Sequence, residues 1–248
     1  MKTLVLVRHG ESVYNRANIF TGWTDVPLTP EGEQEAIEAG KILKEKGFDF
    51  DLTYTSVLQR AIKTLWLILE QMDRMWLPEI KTWRLNEKHY GKLQGLNKSE
   101  MAAQYGEEQV LLWRRAYDVR PPLLSEDEIA DMRKESRYAD VDNIQYMLGE
   151  SLKDTVERVI PLWENQIKYD LLENKRVLIS AHGNSLRGVV KYLDQMSEDE
   201  ILHFNIPTGI PLVYQLDDNL KPINRYFLAD EEKLKAAIDK VANQGKAK

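Results

Sequence analysis

The chain contains no cysteine. Disulfide frameworks, thiolate nucleophiles and cysteine-ligated metals are therefore excluded, and a reducing compartment is the natural setting. No apolar run approaches the roughly 18 residues of a membrane-spanning helix. The opening "MKTLVLVRHGES" has one lysine and a short apolar stretch, and "RHG" stands where an export cleavage site needs small residues. The expectation is a cytoplasmic protein with no membrane partner. Phosphate-binding glycine loops are also missing. "GKLQGLNKS" (91–99) has the wrong spacing for a Walker A loop, and no G-x-G-x-x-G follows a strand. Histidine is scarce, with four in 248 residues, and none stands at the H-x-H or H-x-x-x-H spacing of a zinc site, so no metal is expected. A net charge of −6 argues against nucleic acid as a partner.

What remains is a chain with 43% apolar residues, enough for a sizeable core, and no internal repeat. Lys2–Val7 predicts a short buried strand. Leu28–Gly47 predicts a helix, with Thr29 as N-cap, Pro30 in the first turn and Gly47 as its stop. Strands are expected at Asp51–Ser56, Pro78–Leu85 and Arg176–Ala181, with an apolar helix at 59–72. Two late strands, Gly209–Leu216 and Ile223–Ala229, flank a turn at "DDNL". Helices alternating with short apolar strands predict an α/β fold: a mostly parallel central sheet with helices on both faces. Residues 87–150 show no clear strand and predict a helical or loop insertion over the sheet's edge or mouth. The whole chain, 1–248, is expected to be one domain. About 229–248 should form a C-terminal helix and a mobile, basic tail.

Two of the histidines share a context. His9 ends the first strand and precedes Gly10; His182 ends the strand "VLISA" and precedes Gly183. In an open α/β sheet, ligands bind beyond the carboxyl ends of the strands. Both imidazoles would project there if the strands were neighbours, and each glycine would let the backbone turn away. A neutral imidazole near pH 7 can accept a phosphoryl group on nitrogen. That chemistry then needs cations and hydrogen-bond donors around the phosphoryl oxygens. Arg8 adjoins His9, Arg60 opens the helix after the second strand, and Lys98, Arg114 and Arg115 lie in the insertion. Together they predict a positive basin within an acidic protein, suited to a small multiply charged anion. Glu87, in a loop with His89, Tyr90 and two glycines, is the candidate proton donor and acceptor.

"LVRHGES" with "AHGNSLR" resembles the histidine phosphatase superfamily. "FTGWTDVPLT", "TSVLQRAIKT", "LNEKHYGKLQGLNK", "LWRRAYDVRPP", "GESLKDTVERV", "AHGNSLRGVVKYLD" and "NIPTGIPLVY", in this order, resemble the cofactor-dependent phosphoglycerate mutases within it. The resemblance implies an enzyme interconverting 3-phosphoglycerate and 2-phosphoglycerate, primed by 2,3-bisphosphoglycerate and needing no metal. It implies His9 as the phosphorylated nucleophile, His182 as a donor to the phosphoryl oxygens and Glu87 as the acid/base. Arg8, Arg60 and Asn15 would clamp the phosphoryl group, with Gly183 and Asn184 adding contacts. Thr21 and Gly22 would meet the substrate's carboxylate end, and Tyr90, Lys98, Arg114 and Arg115 the outer anion. The tail "VANQGKAK" would act as a lid, and self-association as a dimer or tetramer is implied. Two alternatives stay open: a bisphosphoglycerate synthase or phosphatase activity on the same site, and a non-catalytic phospholigand-binding protein.

Overall fold

The computed structural model of the chain describes residues 1–243. Its elements are β1 (Lys2–Arg8), α1 (Val13–Arg16), α2 (Pro30–Glu45), β2 (Leu52–Thr55), α3 (Gln59–Gln71) and β3 (Glu79–Lys81). The intervening segment holds α4 (Lys98–Tyr105), α5 (Glu107–Arg115) and α6 (Gln145–Leu148). Then come α7 (Leu152–Leu162), α8 (Lys168–Leu172), β4 (Val177–Ala181), α9 (Gly183–Asp194), α10 (Glu198–His203), β5 (Leu212–Leu216), β6 (Pro222–Phe227) and α11 (Glu231–Ala242).

The sheet order is β3-β2-β4-β1-β5-β6. β3, β2, β4 and β1 run parallel, β5 is antiparallel to β1, and β6 is antiparallel to β5. The α/β expectation of a mostly parallel sheet holds. β1 reads as an unbroken apolar run because both its faces are covered. Leu4 and Leu6 join Val159, Leu162, Leu186 and Val190 of α7 and α9 on one side. Val5 and Val7 meet Ala39, Leu43, Leu65 and Ile68 of α2 and α3 on the other. The predicted helix start is observed: Thr29 Oγ1 accepts from the Gly32 amide at 3.0 Å, with Pro30 in the first turn.

The third strand differs from expectation. Pro78–Leu85 was predicted, but pairing with β2 covers only Glu79–Lys81. Thr82 Oγ1 accepts from the Arg84 amide and opens a 3₁₀ turn over Trp83–Leu85. The hydroxyl competes with the ladder, and Trp83 leaves the sheet to pack with Trp23, Ile129, Tyr138 and Met147. Glu87 therefore follows a turn rather than a strand end. Among residues 87–150 the structure has helices, turns and loops, with no strand. The segment carries a further small core of Tyr90, Leu93, Ala102, Val110 and Trp113 against Phe20. At the C-terminus, α11 includes Lys240–Ala242 of the predicted tail; residues 244–248 lie outside the described residues. Among the described residues, no helix is long and apolar enough to cross a membrane.

One contact seats the turn after β1. A Cβ on Gly10 would stand 2.0 Å from the Gly32 carbonyl oxygen, and a Cβ on Gly32 would stand 2.0 Å from that of Glu11. The turn and the first turn of α2 touch backbone to backbone because neither residue has a side chain. The Gly10 amide also donates to Thr64 Oγ1 of α3 at 3.1 Å. Gly10→Ala should therefore overpack this crossing and lower the unfolding free energy by roughly 1–3 kcal/mol, read from urea titration. An unchanged midpoint would refute the tight crossing.

Candidate active site

Strand register builds the centre of the site. Arg8 pairs with Ala181 across the parallel β1–β4 ladder, and the His9 amide donates to the Ala181 carbonyl at 3.0 Å. The two histidines thus leave adjacent strands at the same level, with ring centroids 4.9 Å apart. His9 Nδ1 lies 2.7 Å from the Gly10 carbonyl oxygen. That oxygen can only accept, so Nδ1 carries the proton and, in the neutral ring, Nε2 keeps its lone pair. Burial, then the Arg60 and Arg8 charges, hold His9 well below the ordinary 6.5, so the ring is neutral at pH 7. His182 is pushed the same way by burial, Arg60 and His9. Its Nε2 meets Ser56 Oγ at 2.7 Å, while its buried Nδ1 has no partner among the described residues.

Glu87 reaches the same place from the far side of the 3₁₀ turn. Its Oε1 accepts from the Lys88 amide at 2.7 Å and from the Asn184 amide, in the first turn of α9, at 3.0 Å. A Cβ at Gly183 would lie 3.4 Å from the Arg8 guanidinium carbon and 3.6 Å from Glu87 Oε2. Arg8 and Glu87 thus both lie against the first residue of α9, at distances a Cβ could tolerate.

The walls are cationic. Arg8, Arg60, Lys98, Arg114, Arg115 and Arg187 all line one cleft, and Glu87 is the carboxylate among its described lining residues. Arg8, Arg60, Arg115 and Arg187 donate to neutral oxygens. Arg8 Nη1 donates to the Ile206 carbonyl at 2.9 Å. Arg60 donates to the Thr24 and Gly22 carbonyls at 2.9 and 2.7 Å. Arg187 Nη1 donates to Asn184 Oδ1 at 2.8 Å, which turns the Asn184 amide nitrogen toward Tyr90 Oη, 3.1 Å away. The Nε groups of Arg8, Arg60 and Arg187 are buried and have no partner among the described residues. Burial pulls Arg60 and Arg187 down to about 10 and Lys98 well below its ordinary value, with Arg114 and Arg8 adding repulsion at Lys98. Desolvated cations with unsatisfied N–H groups are costly unless an anion enters. The arrangement can bind a small polyanion, accept a phosphoryl group on His9 Nε2 and move a proton through Glu87.

The structure brings all the predicted residues together. Arg8, His9, Asn15, Thr21, Gly22, Arg60, Glu87, Tyr90, Lys98, Arg114, Arg115, Gly183 and Asn184 line the cleft. His182 sits beside it, against His9. Asn15 spends its Oδ1 on the Ser12 amide in a capping box, leaving its NH₂ group as a donor. Gly22 sits at a φ of +53°, suited to glycine, and hands its carbonyl to Arg60. Arg187, Asn205, Ile206 and Val241 also line the cleft and were missed. Arg187 had a readable signal: it lies one helical turn after Gly183, on the face that opens at the site. Val241 comes from α11 and had none. Among the described residues, no three His, Asp or Glu side chains converge as metal ligands.

The family model described as "Histidine phosphatase superfamily (branch 1)" matches residues 4–139. Several solved structures share the fold. A mycobacterial glucosyl-3-phosphoglycerate phosphatase is 21% identical, with 91% of this chain and 96% of that one covered and a TM-score of 0.66. Mycobacterial hydrolase 1 is 20% identical, with 92% and 97% covered and a TM-score of 0.69. The alpha-ribazole phosphatase from Shigella flexneri is 22% identical, with 90% and 94% covered and a TM-score of 0.65.

The lowered pKa values give the cleft a proton signature. An anion among these groups raises the pKa of Lys98 and of both histidines, so protons are taken up on binding wherever these groups titrate. Sulfate, a dianion throughout the neutral range, should bind with net proton uptake and more tightly as pH falls from 8 to 6. Calorimetry in buffers of different ionisation enthalpy measures this. Proton release would contradict the assigned directions.

Proposed function

The chain belongs to the histidine phosphatase superfamily (branch 1), and on that premise we propose that it is a phosphoglycerate mutase primed by 2,3-bisphosphoglycerate. The observation that carries this reading is the number of buried cations in one cleft. Arg60 and Arg8 bear on His9. Lys98, Arg114, Arg115 and Arg187 line the same cleft, and Arg8 bears on each of them too. One phosphoryl pocket would serve any phosphate ester. Six buried cations in one cleft suit a substrate with an anionic group at each end.

The chemistry then runs through this chain's own groups. His9 Nε2 attacks phosphorus of 2,3-bisphosphoglycerate; the N–P bond forms, the P–O bond breaks, and Glu87 protonates the departing alkoxide. Phospho-His9 later returns the group to the free hydroxyl of a bound phosphoglycerate, whose proton goes to Glu87. The bisphosphorylated species reorients within the cationic cleft and gives its other phosphate to His9. Arg8, Arg60, Asn15, Asn184 and His182 supply donors to the three equatorial oxygens, where the loose transition state holds its charge. Thr21, Gly22 and Tyr90 complete the substrate walls. No step calls for a metal.

The second reading is a phosphatase on the same residues. The superfamily includes phosphatases, and one solved relative is named for glucosyl-3-phosphoglycerate. Water decides between the two: a mutase excludes it and a phosphatase admits it. Incubation with 3-phosphoglycerate, with and without trace 2,3-bisphosphoglycerate and EDTA, separates them. Cofactor-stimulated, EDTA-resistant formation of 2-phosphoglycerate is expected. Inorganic phosphate as the main product would replace the mutase with the phosphatase. Neither turnover nor an acid-labile phosphoenzyme would leave a binding protein. His9→Ala should abolish labelling by radioactive 2,3-bisphosphoglycerate; full labelling of that variant would overturn the nucleophile assignment.

A further inference from the structure

The group assigned to proton transfer sits on a stretch of backbone with little regular structure. Residues 83–89 form one 3₁₀ turn and a loop, and the carbonyls of Trp83, Arg84, Asn86 and Glu87 meet a buried side chain rather than a ladder. Arg158, on α7, is fully buried and does not line the cleft. Its Nη1 donates to the Arg84 carbonyl at 2.7 Å and to that of Trp83 at 3.4 Å. Its Nη2 donates to the Asn86 carbonyl at 3.0 Å and the Glu87 carbonyl at 2.8 Å. Those last two carbonyls belong to the two peptide planes that flank the Glu87 Cα. One guanidinium nitrogen thus holds both planes, and with them the φ and ψ of Glu87.

Glu150 completes the arrangement. It takes Arg158 Nε at 2.5 Å and Nη2 at 2.9 Å, and its Oε2 also accepts from the His89 amide at 2.7 Å. The Glu150 amide donates to the His89 carbonyl at 2.8 Å. Trp23 Nε1 adds a bond to the Glu87 carbonyl at 2.7 Å. The two peptides that flank Glu87, and the two that flank His89, are therefore tied to Arg158 and Glu150.

Stability alone is a weak account of such a pair. Desolvating two charges costs several kcal/mol each, and replacement of buried pairs by apolar side chains is often neutral or stabilising. An apolar replacement could not hold four carbonyls and an amide in one orientation. We propose that Glu150 and Arg158 are a positioning pair, which aims the Glu87 carboxyl at the bridging oxygen of the substrate without touching substrate. This inference rests on Glu87 being the proton carrier of the proposed function, and it applies to the mutase and phosphatase readings alike.

The test uses two phosphoryl donors that differ in their need for a proton. An alkoxide leaving from 2,3-bisphosphoglycerate must be protonated. The p-nitrophenolate leaving from p-nitrophenyl phosphate need not be. Rapid-quench measurement of phospho-His9 formation from each donor is compared in wild-type, Glu87→Gln, Glu150→Gln and Arg158→Lys proteins. The burst amplitude from p-nitrophenyl phosphate counts folded sites in each sample, so partial unfolding does not mimic the effect. Both positioning variants should slow labelling by 2,3-bisphosphoglycerate on the order of 10- to 100-fold, with labelling by p-nitrophenyl phosphate little changed. Equal losses with both donors in Glu150→Gln and Arg158→Lys, or no loss with either, would overturn the positioning role. If Glu87→Gln itself fails to distinguish the donors, the proton-carrier reading falls first and takes the inference with it.

Discussion

The crowding of buried positive charge around a single carboxylate is the constraint on which this site depends. Six cationic side chains share a cleft whose described walls hold one carboxylate. Ion-pair partners would have steadied them cheaply, but each carboxylate would also have cancelled charge and competed with an incoming anion. The chain instead orients its arginines with carbonyl oxygens: Ile206 for Arg8, Gly22 and Thr24 for Arg60, Phe204 for Arg115, Ile201 for Arg187. A carbonyl aims a guanidinium and leaves its charge standing. The penalty appears in the lowered pKa values and the unsatisfied Nε groups, and an anionic ligand is the group that removes it.

The scaffold supplies most of those carbonyls from segments outside regular structure; that of Ile201, near the end of α10, is the exception. Gly22 and Thr24 lie in the loop after α1, and Ile206 lies between α10 and β5. Loops serve here because their backbone oxygens are not consumed by ladders. Glu11, by contrast, binds Arg16 and Lys240 at the outer edge of the site, where carboxylates do pair with cations. Glu11 thus forms its ion pairs at the rim of the site, whereas Arg8, Arg60 and Arg187 inside it are held by neutral oxygens. The likeness to solved structures near 20% identity is a likeness of fold; the distribution of charge within the cleft belongs to this chain's own side chains.

Much of this was legible in the sequence. β1 and β4 announced themselves as apolar runs because both faces of the sheet are covered. His9 and His182 stood out because each ends such a run before a glycine. Thr29 and Pro30 marked the start of α2 by cap chemistry. The failures have a common cause. The third strand was overextended because Trp83 and Leu85 look like strand residues, whereas Thr82 diverts the chain and Trp83 finds aromatic partners distant in sequence. Arg158 gave no signal, since its partners at 83–87 come from another part of the chain. Local periodicity reports which face is buried; it does not report what a buried polar group will meet.

The position of β4 has a consequence for how the molecule is made. This strand lies between β2 and β1, yet it follows both in the chain by a long insertion. As synthesis proceeds from the N-terminus, β1 and β2 emerge early with no direct pairing between them, and the gap is filled only when β4 arrives. Pairings this distant close large loops and form slowly. His9 meets His182 only once β4 has taken its place, and Arg8 meets the Ile206 carbonyl only once the segment after α10 has closed over it. The site therefore cannot be assembled before the last third of the chain has emerged.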